Sequence, residues 1–150
     1  MPTPPIVFST SELPDCEQRE AWRAWFNPVF DLRWDRGEET TPFAADSVTF
    51  AAGDALFSRV RAPRLHSVRD VQHIRRETTD HWCIALGHRE SRIIVAGRLL
   101  LVPAGVPFVV SLGDPVESAR DADDRLHLYL PRDRFAALAP ELDRVRGQAI

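Results

Sequence analysis

The side chains able to do chemistry are few in this sequence and widely spaced. Five histidines occur, His66, His73, His81, His88 and His127. No two stand at the H-x-H spacing that puts two imidazoles on one strand face, nor at the i, i+4 spacing of a helical metal site. His66/His73 and His81/His88 are each seven apart, which sends the partners to opposite faces of a straight strand. A chain without a metal is expected. Nucleophile signals are equally thin. No G-x-S-x-G elbow appears, and neither does a P-loop or a G-x-G-x-x-G turn. Cys83 lies in an apolar run beside Trp82 and Ile84, where a thiol is inert. Cys16 sits among acids that disfavour its thiolate. No catalytic residue and no cofactor is assigned.

Charge is more informative. Asp114, Glu117, Asp121, Asp123 and Asp124 cluster in a segment that also carries Gly, Pro, Ser and Ala, and they read as a solvated loop between two strands. Arg59, Arg61, Arg64, Arg69, Arg75 and Arg76 make the middle of the chain locally basic. Arg59 and Arg61 share strand parity and hence one face. The plain reading is an exposed face salted by Asp70 and Glu77. The sharper one is an anion or carboxylate contact, because a guanidinium fork matches a carboxylate bidentately. No helix-turn-helix pattern accompanies these arginines.

The elements that would carry these groups are short. Residues 1–13 read as an extended arm with Pro2, Pro4 and Pro5. Pro14 opens a helix with Asp15, Glu17 and Glu20 near its positive end. Ala21, Trp22, Trp25, Phe26 and Val29 form its apolar stripe, and Asn27-Pro28 ends it. From Phe43 the period shortens. Apolar runs at Val48–Phe50, Ala55–Phe57, Val68–Ile74, Trp82–Leu86, Arg92–Ala96, Leu99–Val102 and Phe108–Leu112 are bounded by Pro, Gly or Asp. Leu126, Leu128 and Leu130 alternate with Arg125, His127 and Tyr129 at a period of two. After Pro131, Phe135, Leu138 and Leu142 return to helical spacing, with Pro140 interrupting. Seven or more short strands indicate a sandwich, jelly roll or small barrel.

Length and composition bound the answer. One hundred and fifty residues make one domain. A hydrophobic share of 44% excludes a disordered chain, and a net charge of −3 argues against a free-standing nucleic-acid binder. Twelve prolines argue against a bundle of long helices. Two cysteines suggest no disulfide framework. With neither a signal peptide nor a membrane-spanning run, a cytoplasmic protein is expected.

One stretch is more specific. Gly97, Pro103, Ala104, Gly105 and Phe108 have the form G-x5-P-x-G-x2-F. This resembles the second cupin motif, G-x5-P-x-G-x2-H, with Phe108 in place of the metal-binding histidine. Around it stand Leu13-Pro14, Arg19 and Trp22, then Arg69, Asp80, Gly87 and Leu130-Pro131-Arg132. That order resembles the N-terminal effector-binding domain of AraC-type transcriptional regulators over nearly the whole chain. The resemblance implies a mainly β, cupin-like jelly-roll barrel with an N-terminal helix and a short C-terminal helix, over residues 14–150. It implies a metal-free sensor of a small-molecule effector, and not an enzyme. Dimerisation helices and a helix-turn-helix DNA-binding domain would follow the barrel, outside these residues, so a homodimer is expected and DNA is a partner only through that further domain. Val106 departs from the acid that many relatives carry after the glycine.

The barrel interior is the expected pocket. Trp82, Phe108 and Tyr129 are the candidate lining, with His127 and Arg69 as its polar groups. Such a lining suits an aromatic or aliphatic organic acid. The alternatives are a small metal-free cupin enzyme of isomerase type, using His81, His127 and Tyr129, and a protein-interaction module with a filled core.

Overall fold

The computed structural model describes residues 3–150; Met1 and Pro2, at the start of the expected arm, lie outside the described residues. Twelve strands occur among them: β1 (Ile6–Ser9), β2 (Asp31–Arg33), β3 (Asp46–Ala52), β4 (Ala55–Ala62), β5 (Leu65–Arg69), β6 (Trp82–Gly87), β7 (Ser91–Val95), β8 (Arg98–Val102), β9 (Phe108–Ser111), β10 (Val116–Arg120), β11 (Asp123–Leu130) and β12 (Gln148–Ala149). The helices are α1 (Asp15–Phe26), α2 (Val71–Arg76) and α3 (Ala139–Val145), the last preceded by a 3-10 turn at Ala136–Leu138. One antiparallel sheet has the order β1-β3-β4-β11-β6-β9-β12 and the other β2-β5-β10-β7-β8. The molecule is mainly β, and the expected jelly-roll barrel with a helix at each end is what forms.

Turn chemistry sets the register at the motif. Ala96 and Gly97 both have positive φ, 48° and 81°, the primed geometry that a two-residue hairpin requires. They join β7 to β8, pairing Val95 with Arg98. Gly105, at φ 76°, completes the next turn. Val106 N–H donates to the Pro103 carbonyl there at 3.3 Å. Phe108 thus enters β9 facing inward, with 4% of its surface exposed.

Three elements differ from the sequence reading, and a fourth lies where it assigned nothing. Val71–Ile74 is helix, not strand, because the Asp70 carboxylate accepts from His73 N–H at 2.8 Å and caps α2. The acidic segment is not one loop: Val116–Arg120 forms β10 in the middle of the five-stranded sheet, between β5 and β7. Pro140 stands in the first turn of α3 and opens that helix. The last residues return to the barrel, where Gly147 N–H donates to the Val109 carbonyl and β12 pairs with β9.

Strand parity divides the apolar residues into three clusters. Ile93, Val95, Val102, Phe108, Val110 and Val116 fill one end of the barrel. Trp22 of α1 packs with Leu32, Phe43, Val60 and Leu65 at the other. The third cluster lies outside the larger sheet, where Trp82, Val109 and Leu130 are covered by Phe135, Ala139 and Leu142.

Arg69 ties the loops together. It is fully buried. Its Nε donates to the Leu112 carbonyl at 2.6 Å, Nη1 to Val29 at 2.9 Å, and Nη2 to Glu77 and Thr79 at 2.5 and 2.9 Å. One guanidinium therefore satisfies carbonyls from the loops after α1, α2 and β9. Replacing it with Met would strand those acceptors. Arg69→Met is expected to lose about 3–5 kcal/mol, measured as a fall in the urea midpoint with unchanged m-value; a loss below about 1 kcal/mol would contradict this role.

Candidate ligand-binding site

The alternation along β11 turns the barrel inside out. Leu128 and Leu130 face the outer cluster under α3, while Arg125, His127 and Tyr129 face inward. Register places Arg125 opposite Gly87 and Val60, and His127 opposite Ala85 and Ser58. From β10, Arg120 and Ser118 point to the same space. Together they line a cavity of about 60 Å³ between the sheets. Cys83, Ile93, Phe108, Val110 and Val116 supply apolar wall, and Trp22, Phe26 and Phe30 close it from the α1 side.

The polar members are held tightly but incompletely. Arg120 and Arg125 are 8% and 4% exposed. The Arg125 Nη2 donates to Ser91 Oγ, and its guanidinium lies 5.7 Å from the centre of the Phe108 ring. The ring that replaces a metal-ligating histidine thus contacts a cation. Arg125 Nε, Arg120 Nη1 and His127 Nδ1 are buried without a hydrogen-bond partner. Asp123, 8% exposed, is the nearby counter-charge. Its Oδ1 accepts from His88 and Asp124 N–H groups, and its Oδ2 is unpartnered. Gly87 permits this approach, since a Cβ there would lie 2.6 Å from Asp123 Oδ2.

Burial sets the protonation states. It pulls the Arg120 guanidinium down to about 9, helped by Arg125 and opposed by Asp123, so the group stays charged at neutral pH. Arg125 is lowered by the same desolvation. His127 is held well below its ordinary value by burial and by Arg125 and Arg120, and is neutral. Burial keeps the Tyr129 phenol protonated and pushes the Cys83 thiol up to about 12. Cys83 is therefore no nucleophile.

Of the five residues expected to line the site, the structure brings Phe108, His127 and Tyr129 to the cavity. The other two lie elsewhere. Trp82 has the parity of Ile84, so it faces outward; its Nε1 donates to Asp143 Oδ1 at 3.1 Å and Arg132 stacks 4.2 Å from its ring. Arg69 is occupied by the four loop carbonyls. The cationic groups of the cavity are Arg120 and Arg125, which the sequence reading did not select. Arg125 was within its reach, sharing the parity of His127 and Tyr129.

Other candidates scatter. Arg59 pairs bidentately with Asp124 on the outer face, with Arg61 4.0 Å away, so Asp124 rather than Asp70 or Glu77 salts that face. His66 contacts Glu117, His73 the Asn27 carbonyl and His88 the Asp124 carbonyl. Among the described residues, no group of three or more His, Cys, Asp or Glu side chains could hold a metal ion. A second concavity outside the barrel alternates Arg33, Arg64 and Arg92 with Glu38, Glu90 and Glu117.

The chain superposes on the crystal structure of the AraC-like transcriptional activator CuxR with a TM-score of 0.85 and 26% identity, over 97% of this chain and 54% of that one. It spans about half the length of that protein. The resemblance to AraC-type regulators thus extends from sequence motifs to the whole described fold. Fainter likenesses link it to an RmlC-like cupin from Shewanella frigidimarina (TM-score 0.45, 12% identity, 71% of this chain and 88% of that one) and to KdgF from Halomonas sp. (0.43, 13%, 68% and 86%). No protein-family model and no curated protein matches the sequence. No helix among the described residues is long and apolar enough to cross a membrane.

The His127 environment makes stability depend on pH. Its folded value lies below the unfolded value near 6.5, so below that pH the unfolded chain binds more protons and stability falls with pH. Between about pH 6.5 and 5.5 the loss is expected to be about 1 kcal/mol. His127→Gln removes that component, which urea unfolding at the two pH values would detect; parallel losses in both proteins would contradict the assignment.

Proposed function

We propose that this chain is the small-molecule-sensing domain of an AraC-type transcription regulator, metal-free and non-catalytic, with its effector in the barrel cavity. What carries this reading is an interior cavity with unpartnered polar groups, in a chain that superposes on an AraC-like activator along nearly its whole length. DNA would be read by an attached helix-turn-helix domain, and the protein would be cytoplasmic and act as a homodimer.

Side-chain packing links the cavity wall to the N-terminal arm. Trp22 and Phe26 of α1 form part of its wall. Phe8 of β1 stacks at 5.8 Å on Trp22 and at 4.5 Å on Trp25. Asn27, just past α1, is held by His73, and Val29 by Arg69. An effector that favours one position of α1 would shift the arm with it, by its differential affinity for the two states.

A second reading draws on one observation: His127 and Tyr129 stack at 5.9 Å and both face the cavity, an arrangement open to proton transfer in a metal-free isomerase. Unchanged NMR spectra of a bound ligand after prolonged incubation would favour the sensor, and conversion of the ligand the enzyme.

The test is a thermal-shift panel of metabolite-sized ligands, acids and neutral compounds alike. A ligand of the folded state raises the melting temperature by mass action, and at least one member is expected to raise it by about 2 °C or more. No rise with any member would contradict the proposal.

A further inference from the structure

The barrel interior carries unbalanced charge. Arg120 and Arg125 contribute two positive charges, and both line the cavity. Asp123 contributes one negative charge; Asp124, the other acid that acts on Arg120, is already paired with Arg59 on the outer face. His127 and Tyr129 are neutral where they sit. Ser67, Ser118 and Cys83 add no charge at neutral pH. One positive charge is left over, and Arg120 Nη1 and Arg125 Nε have no acceptor. A buried cation without a partner is strongly disfavoured, and the native fold relieves this only in part. A singly charged anion seated there would balance the two arginines against Asp123.

The rest of the cavity narrows its chemistry. Ile93, Val110 and Val116 offer nothing to a fully hydrated inorganic ion, and they suit a short hydrocarbon end. The volume is small. At about 60 Å³ it equals the liquid share of roughly two waters. By proportion with the roughly 150 Å³ cavity that binds benzene, about two or three heavy atoms fit without moving a wall; acetate and propionate are the carboxylates beyond that size that displace Trp22 or Phe26 least.

Resting on the sensor reading above, we propose that the effector is a short-chain monocarboxylate of acetate-to-propionate size, its carboxylate seated on the guanidinium groups of Arg120 and Arg125 and its apolar end against Ile93, Val110 and Val116. Guanidinium forks are matched to carboxylates, and a water-poor site strengthens the contact. With so few atoms, the affinity of propionate is bounded at a Kd of about 3 µM, and millimolar concentrations are appropriate for the assay.

The test titrates the 150-residue chain with sodium acetate and sodium propionate at constant ionic strength, with sodium chloride, sodium phosphate and propionamide as comparators. Melting temperature and Trp fluorescence are both followed, since Trp22 is part of the cavity wall. A saturable rise of about 5–10 °C at a hundredfold excess over Kd is expected for a carboxylate, with a fluorescence change of the same midpoint and no saturable effect from propionamide. Arg120→Met is expected to weaken carboxylate binding about 10- to 100-fold. It is also expected to leave the melting temperature without ligand unchanged or higher, because it removes an unpaired buried charge. A merely structural arginine would give the opposite shift. Arg98→Met, exposed on β8, is the control and should respond as the unmodified chain does. Equal saturation by chloride, phosphate or propionamide would overturn the carboxylate assignment. A response only to neutral members of the wider panel would overturn it while leaving the sensor reading intact. Silence across the whole panel would overturn both.

Discussion

Two guanidinium groups inside a small β-barrel are the constraint on which the remaining architecture depends. Charges taken out of water need partners, and here the partners are few: Ser91 Oγ, the face of Phe108 and the carboxylate of Asp123. Each dictates something nearby. Asp123 can approach only because residue 87 is glycine. Phe108 can present its ring only because the Pro103–Gly105 turn delivers it to the inward register of β9. His127 stays neutral because it is buried and because two cations lie beside it. The interior is thus polar along β10 and β11 and apolar along β7 and β9, with a gap between the two kinds of wall.

The same constraint explains why the leucines of β11 lie outside. A strand whose inward positions are Arg, His and Tyr must bury its apolar face elsewhere, and α3 provides the cover. Trp82 belongs to that outer layer, fastened by Asp143 and Arg132. At the opposite side α1 roofs the cavity with aromatic rings. Arg69 then holds the loops that follow α1, α2 and β9. The two helices have different duties: α3 completes a core, while α1 touches the cavity and the arm at once.

Much of this was legible in the sequence where a local rule decides. Gly97 and the Pro103–Gly105 turn announced the hairpins, the stripe from Trp22 to Phe26 announced α1, and the alternation at Leu126–Leu130 announced β11. What failed were choices of face and of tertiary partner. Period two establishes that Trp82 and Cys83 point opposite ways, and burial cannot tell which side is the cavity, because both sides are covered. Having taken His127 and Tyr129 as inward, parity alone would have added Arg125. Arg120 was hidden because β10 is flanked by Pro115 and by aspartates that mimic a loop. Arg69 looked like a ligand anchor because a buried arginine and a buried staple have the same sequence signature. Only its carbonyl partners separate the two roles.

The most direct measurement is a proton–nitrogen NMR titration of the arginine side chains with propionate, observing the Arg125 Nε–H resonance. A large, saturable shift of that resonance is expected, lost in Arg120→Met at the same ligand concentration and absent with propionamide. A resonance that stays put while propionate reaches millimolar concentrations would contradict an anion site on the buried arginines.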